Sequence, residues 1–253
     1  MIFRRTVGIV LRCTDYSETS KIATIYTRDH GKVRALAKGA KRKKSDFLRI
    51  LEPLSFLEIV YIQRKSGLHI LKEACLIDSN LDLRQQLSKV ARGLYFLSLI
   101  ERTQPEEDPD RAVFELLSSS LSALRRLSFA ENVPIVFQLR LLKHFGRLPS
   151  LTACGRCGSP WKGSATYDPQ SGSFLCRACR KDGKRRLSRG TLQALRRLAE
   201  ISLERCGRMR LSKEQRSQIA PVISAMLRAA VEADLPAESV VNSLLRGGET
   251  RCE

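Results

Sequence analysis

Through the first 78 positions apolar residues alternate with polar ones at a period of two, and from Asn80 they recur every three to four. Thr6-Val7-Gly8-Ile9-Val10-Leu11 is rich in β-branched residues, and Lys21-Ile22-Ala23-Thr24-Ile25-Tyr26-Thr27 alternates as a half-buried strand does. Asp29-His30-Gly31-Lys32 predicts a hairpin turn in which Gly31 is free to take a positive φ. A third strand is expected from Val33 to Ala37. After a basic loop, Leu54 to Gln63 and Gly67 to Ala74 predict two more, joined by Arg64-Lys65-Ser66-Gly67. Five short strands in under 80 residues predict a small barrel, and the five-stranded OB-fold, which binds oligonucleotides, is the best-known choice.

The helical period begins with Leu81, Leu83, Leu87, Val90, Ala91, Leu94, Leu97 and Ile100, which predict one apolar stripe. Pro105-Glu-Glu-Asp-Pro109 ends that helix. Another is expected from near Asp110, with Val113, Leu116, Leu117, Leu121 and Leu124 inside. A third spans about Glu131 to Gly146, with Pro134 early, where a missing N–H is tolerated. Asp168-Pro-Gln-Ser-Gly172, flanked by Tyr167 and Phe174, predicts a short hairpin. Ser188 reads as the N-cap of a helix from Leu192 to Leu203. Ser212 with Gln215 fits a capping box that opens a helix to about Asp234, with Pro221 as an expected kink. Pro236 starts a last helix, ending near Gly247-Gly248.

Composition changes the picture by adding a partner. Forty-five Lys and Arg against 26 Asp and Glu give a net charge of +19, which points to a polyanion. Nucleic acid is the first expectation and an anionic membrane surface the second. No stretch approaches the roughly 20 apolar residues of a membrane span, and the six uncharged residues between Arg5 and Arg12 are too few for a signal core. Cys13, Cys75, Cys206 and Cys252 are scattered singly, a usage that fits a reducing cytoplasm.

The other four of the eight cysteines form Cys154-x2-Cys157-x18-Cys176-x2-Cys179. Two residues between cysteines let a tight turn aim both thiolates at one ion, and the second pair completes a tetrahedral sulfur shell. The expected cofactor is one structural Zn2+, because four thiolates leave no open position for a catalytic water.

Lys38-Gly39-Ala40-Lys41-Arg42-Lys43-Lys44-Ser45 is the second concentrated signal. With Lys32, Arg34 and Arg49, eight basic residues fall in 18 positions against the single acid Asp46. Gly39 and Ala40 are expected to leave the main chain uncovered, so that phosphate could reach its N–H groups. The alternative is a solvated basic loop. A second run, Arg177, Arg180, Lys181, Lys184, Arg185, Arg186 and Arg189, extends the nucleic-acid track or forms a solvated edge. Tyr16, Tyr26, Phe47, Phe56 and Tyr61 offer either base-stacking faces or core. There is no G-x-x-x-x-G-K-[ST] loop, no deaminase H-x-E before a P-C-x-x-C, and no G-x-S-x-G elbow, so no enzyme, and no small-molecule substrate, is expected. A zinc-dependent enzyme acting on nucleic acid would need a non-sulfur ligand that the chain does not offer. A zinc-containing scaffold that binds RNA or ribosomes has the same composition as a DNA binder.

Asp15-Tyr16-Ser17-Glu18-Thr19-Ser20, then Gly31-Lys32-Val33-Arg34-Ala35-Leu36-Ala37-Lys38-Gly39-Ala40-Lys41-Arg42, resembles the RecO family of bacterial recombination mediators. So do Leu51-Glu52-Pro53-Leu54, Phe137-Gln138-Leu139-Arg140-Leu141-Leu142, and Gly146 to Pro149. The four-cysteine cluster is present in many members of that family and lost in others. The resemblance implies an α+β protein: an N-terminal five-stranded OB-fold barrel, then a helical domain with an inserted four-cysteine zinc finger. The expected division is 1–78 for the barrel, 79–150 and 183–248 for the helical domain, 151–182 for the finger and 249–253 for a tail. It further implies binding of single- and double-stranded DNA without sequence readout, annealing of complementary strands, and partnership with RecR and the acidic C-terminal tail of the single-strand-binding protein. RecA loading in gap repair, in the bacterial cytoplasm, follows from the same resemblance, with no membrane partner. The family's basic barrel loop matches Lys38 to Lys44 here.

Overall fold

The computed structural model describes residues 1–180 and 185–231. The chain divides into two compact units, Met1–Arg125 and Arg126–Glu253, each taken by itself below.

The first unit is built on five strands: β1 (Ile2–Asp15), β2 (Lys21–Thr27), β3 (Gly31–Ala37), β4 (Phe56–Gln63) and β5 (His69–Asp78). Their order is β1-β2-β3-β5-β4, and β4 pairs back on β1, so the ring of pairings closes as an OB-like barrel. All pairs are antiparallel except β3 with β5. β1 serves two partners along its length. Ile2 to Ile9 pair with β4, and Gly8 to Asp15 pair with β2 past a register shift between Val10 and Arg12. At the crossover, a Cβ on Gly8 would stand 2.6 Å from Ile25 Cγ2, so the bare backbone is what lets β2 approach. Inward positions carry Val10, Ala23, Ile25, Val33, Ala35, Leu57, Ile59, Tyr61 and Leu71, large residues alternating with alanines as a narrow barrel requires.

The strands run longer than the alternation predicted at several ends. β4 starts at Phe56 and not Leu54, because Leu54 takes φ 75° and gives its N–H to Val10 O at 3.0 Å. The single stripe expected on the next helix is also corrected. The helix breaks into α1 (Leu81–Arg84) and α2 (Leu87–Thr103), and the break changes the phase. Leu81, Leu87 and Leu94 are exposed, whereas Lys89, Arg92, Gly93, Phe96 and Ile100 are buried. Gly93 sets that face, since a Cβ there would lie 2.9 Å from Leu54 Cδ2. α3 (Arg111–Arg126) follows the acidic Pro105–Pro109 segment, which lies along β3 through a bridge from Glu106 to Lys32.

The second unit holds α4 (Val133–His144), the sheet β7-β6-β8 made of β6 (Ala165–Asp168), β7 (Ser173–Leu175) and β8 (Arg186–Leu187), then α5 (Arg189–Glu200) and α6 (Lys213–Val231). Ser188 caps α5 as expected, accepting from Thr191 N at 3.1 Å, though the helix stops three residues short of Leu203. The Ser212–Gln215 box is made in both directions, at 2.9 and 3.1 Å. Asn132 ties the unit together: its amide donates to Cys206 O and Met209 O, and its oxygen accepts from buried Arg216. The last expected helix, the 249–253 tail and Lys181 lie outside the described residues. Among the described residues no helix is long and apolar enough to cross a membrane.

Candidate metal centre and nucleic-acid interface

The four cysteines meet. The sulfurs of Cys154, Cys157, Cys176 and Cys179 all lie within 4.8 Å of one another, and this group could hold a metal ion. Cys157 and Cys176 are 3.9 Å apart, near the roughly 3.8 Å edge of a tetrahedron with 2.3 Å metal–sulfur bonds. Each pair sits on a tight turn, closed by Gly158 N–H on Cys154 O and by Arg180 N–H on Cys176 O. The first turn is pressed onto β7, where Gly155 N–H donates to Phe174 O; a Cβ on Gly155 would sit 2.6 Å from Ser173 Cβ. The hairpin below has the expected turn, with Tyr167 opposite Phe174 and their rings 5.5 Å apart.

Burial raises the Cys154 thiol, but main-chain N–H groups of Cys157, Cys176 and Arg156 outweigh it and draw the group down to about 6. Hydrogen bonding to Cys176 and Cys157 pushes Cys179 up to about 12. Four sulfurs this close cannot all ionise by themselves, and a divalent cation between them removes that conflict. Four sulfur donors from two tight turns match a soft, tetrahedral ion.

The barrel brings a second group together. Asp15 pairs with Lys21, and Lys21 with Ala37, so β1 ends, β2 begins and β3 ends at one rim. The loops 16–20 and 38–55 therefore leave from the same end. The second loop is not loose, and its main chain is not uncovered as the sequence suggested. Ala40 is fully buried and Leu51 nearly so, both plugging the barrel core. Lys41 N–H donates to Thr19 O at 2.9 Å and Arg42 N–H to Gly39 O at 3.0 Å, so those donors are already used. What the loop offers is side chains.

Those side chains divide. Lys38, Arg42, Lys43, Lys44 and Arg49 are exposed, with no ion pair among the described residues. Lys41 is half-buried; its Nζ donates to Asp15 Oδ2 at 2.9 Å and holds that carboxyl below its ordinary range. Lys32 donates to Glu101 O at 2.7 Å, and burial lowers its ammonium. Arg34 stands 3.7 Å from Glu106, both exposed. Lys32 is thus a structural contact, and Lys41 a brace for the rim. Lys21, which the charge run did not single out, stands at the rim beside Asp15, and Lys72 lines a cleft with Lys44. The strand register would have located Lys21. Of the aromatic candidates, Tyr26 and Tyr61 are core, Phe47 packs against the core, Phe56 is half-buried, and Tyr16 is exposed. In the second unit Arg177 is exposed on its knuckle, and half-buried Arg180 lines a cleft with Arg156, Asp168 and Arg185.

Comparison with known proteins covers both units. A family model described as Recombination protein O N terminal matches residues 1–80, and one described as Recombination protein O C terminal matches 84–238. Proteins named DNA repair protein RecO are similar over most of their length. That of Bacillus pumilus is 32% identical over 87% of this chain and 86% of its own. That of Bacillus subtilis is 31% identical over 85% of each chain. That of Symbiobacterium thermophilum is 31% identical over 94% of this chain and 96% of its own.

Proposed function

Because the chain belongs to the RecO family of DNA repair proteins, we propose that it is a non-enzymatic recombination mediator acting on DNA in the cytoplasm. It binds single- and double-stranded DNA without reading sequence, anneals complementary strands, and with RecR helps load RecA onto DNA coated by the single-strand-binding protein, whose tail it holds. The observation that carries the reading is the group of five exposed cations, Lys38, Arg42, Lys43, Lys44 and Arg49, on a braced loop at the barrel rim. Lysine and arginine contacts to phosphate position a strand and carry no sequence information. Annealing requires that repulsion between two backbones be offset, which unpaired cations do without nucleotide hydrolysis. Arg34 on β3 adds a phosphate contact in the first unit, and Arg177, Arg180 and Lys181 of the second unit are DNA contacts in their own right. Cys154, Cys157, Cys176 and Cys179 hold one Zn2+, which supplies folding energy to the module between residues 151 and 182 and takes no part in chemistry.

The test replaces Lys38, Arg42, Lys43 and Lys44 with Glu, leaving Lys41 in place because it braces Asp15. Binding of an oligonucleotide at physiological salt is expected to vanish while the circular dichroism spectrum and bound metal are retained. With about five phosphates neutralised, log affinity of the unaltered protein for single strands should fall with log salt at a slope near −3.5. Unchanged affinity in the four-Glu variant would remove the loop from the interface. Competition between single-stranded DNA and RNA at fixed salt separates a DNA mediator from an RNA-binding scaffold.

A further inference from the structure

Tyr16 is 60% exposed, in the loop between β1 and β2. The rings carried by the other barrel strands and by the basic loop give no comparable surface: Tyr26 and Tyr61 are at 0% and 2%. Phe3, also exposed, belongs to the half of β1 that pairs with β4, at the far end of that strand from Asp15. Tyr16 has a fixed base. Its own N–H donates to Ser20 O at 3.0 Å, and Ser20 N–H donates to Ser17 Oγ at 3.2 Å. Asp15 before it is tied to Lys41 Nζ, and Thr19 after it accepts the Lys41 N–H. The hydroxyl has no hydrogen-bond partner among the described residues, so neither burial nor bonding accounts for an aromatic ring here.

A braced backbone carrying an uncovered ring, on the same rim as a loop of exposed cations, is an arrangement suited to an unpaired base. We infer that Tyr16 is a stacking platform for a nucleobase of single-stranded nucleic acid whose phosphates lie along Lys38, Arg42, Lys43 and Lys44. The inference rests on the nucleic-acid reading of the same rim and adds what the cations cannot supply. Phosphates are displayed by single and double strands alike, whereas the faces of bases are hidden in a duplex stack. The loop gives affinity, and Tyr16 gives preference for the unpaired strand. In an annealing protein this has a direct use: the contact is surrendered once the base pairs, so the product is held less tightly than the reactants.

The experiment measures fluorescence anisotropy of labelled oligodeoxythymidylate, the same length of abasic oligonucleotide, and a duplex, with the full chain and with Tyr16→Ala, Tyr16→Phe and Tyr16→Trp. Tyr16→Ala is expected to weaken the single strand by about 5- to 150-fold, the range that base–aromatic stacking gives. It should leave duplex and abasic affinities within about twofold, and the salt slope unchanged, since no phosphate contact is lost. Phe and Trp should retain binding. A loss shared equally by single strand, duplex and abasic strand would overturn the inference, because the residue would then be supporting the loop. So would no loss at all. If the unaltered protein binds none of the three, the nucleic-acid reading itself falls; if the four-Glu loop variant binds like it, the loop leaves the interface; either result takes this inference with it.

Discussion

Tyr26 and Tyr61 are both buried, Tyr61 in the barrel core and Tyr26 on the opposite face of β2 against Phe114, with phenols that burial keeps protonated, Tyr61 pushed up to about 12 and Tyr26 raised further. The Tyr26 hydroxyl lies within hydrogen-bond distance of Gln104 Oε1 and Asp110 O, whereas Tyr61 packs against the His69 ring. A folded pKa above the unfolded value of about 10 contributes stability that is fully present below pH 10 and lost as pH climbs through 12. Unfolding free energy of the unaltered protein should therefore fall above pH 10 by about 1.4 kcal/mol per pH unit for each such tyrosine. In Tyr61→Phe, urea melts at pH 8, 10 and 11 should show a shallower decline; parallel curves would refute the account. At this scale the sequence was readable only in part. Eight cations between Lys32 and Arg49 could be counted, but which were free could not. Lys41 and Arg34 meet the carboxylates of Asp15 and Glu106, and Lys32 the main-chain carbonyl of Glu101, partners that the fold brings from elsewhere in the chain. The four cysteines could be read because each pair of ligands is set by two intervening residues, a purely local constraint.

Strands and helices were legible where one face is buried and the other wet, as in β3, whose buried positions alternate from Gly31 to Ala37. They were misread where a long-range contact decides the face. The stripe through Leu87 and Leu94 looked inward by composition, yet Gly93 against Leu54 turned α2 so that Lys89 and Arg92 went in and those leucines out. Lys89 is accommodated because its Nζ reaches Arg125 O. The acidic segment along β3 gave no sign of its place. It is seated by Glu107 N–H on Lys32 O, by Glu107 beside His69 Nε2 at 3.1 Å, and by Gly31. Gly31 takes φ 65°, and a Cβ there would lie 2.3 Å from Asp108 O, so the glycine has two reasons to be one. Gly31→Ala should cost about 2–4 kcal/mol from left-handed strain and overpacking, read as a lowered urea midpoint. A loss below about 0.5 kcal/mol would mean that the segment is not seated there.

At the scale of the molecule, each of the two units is compact by itself, and the four-cysteine group lies in the second. The chain has one tryptophan, Trp161, half-buried between the two cysteine pairs, so its fluorescence reports that module alone. The module's sheet buries few apolar residues, among them Ala165, Tyr167, Phe174, Leu175 and Leu187. Chelation should shift Trp161 emission to the red, while amides of Val10, Ile25 and Ile59 in the barrel keep their hydrogen-exchange protection. An unchanged emission spectrum after complete metal removal would show that the sulfur cluster is not what closes the module. The barrel depends instead on a strand shared between two neighbours, and that sharing has a consequence during synthesis. β1 precedes its partners along the chain, and its second half can zip onto β2 at once, but Ile2 to Ile9 wait for Phe56 to Gln63. Until then its leading edge shows unpaired amides, beside Ile2 and Phe3 that stay exposed even after folding, an invitation to neighbouring nascent chains. Arg4 and Arg5 sit in that waiting segment, where like charge on a second copy discourages edge-to-edge addition. Arg4 and Arg5 thus have a part to play in assembly of the barrel, apart from the cations of the rim.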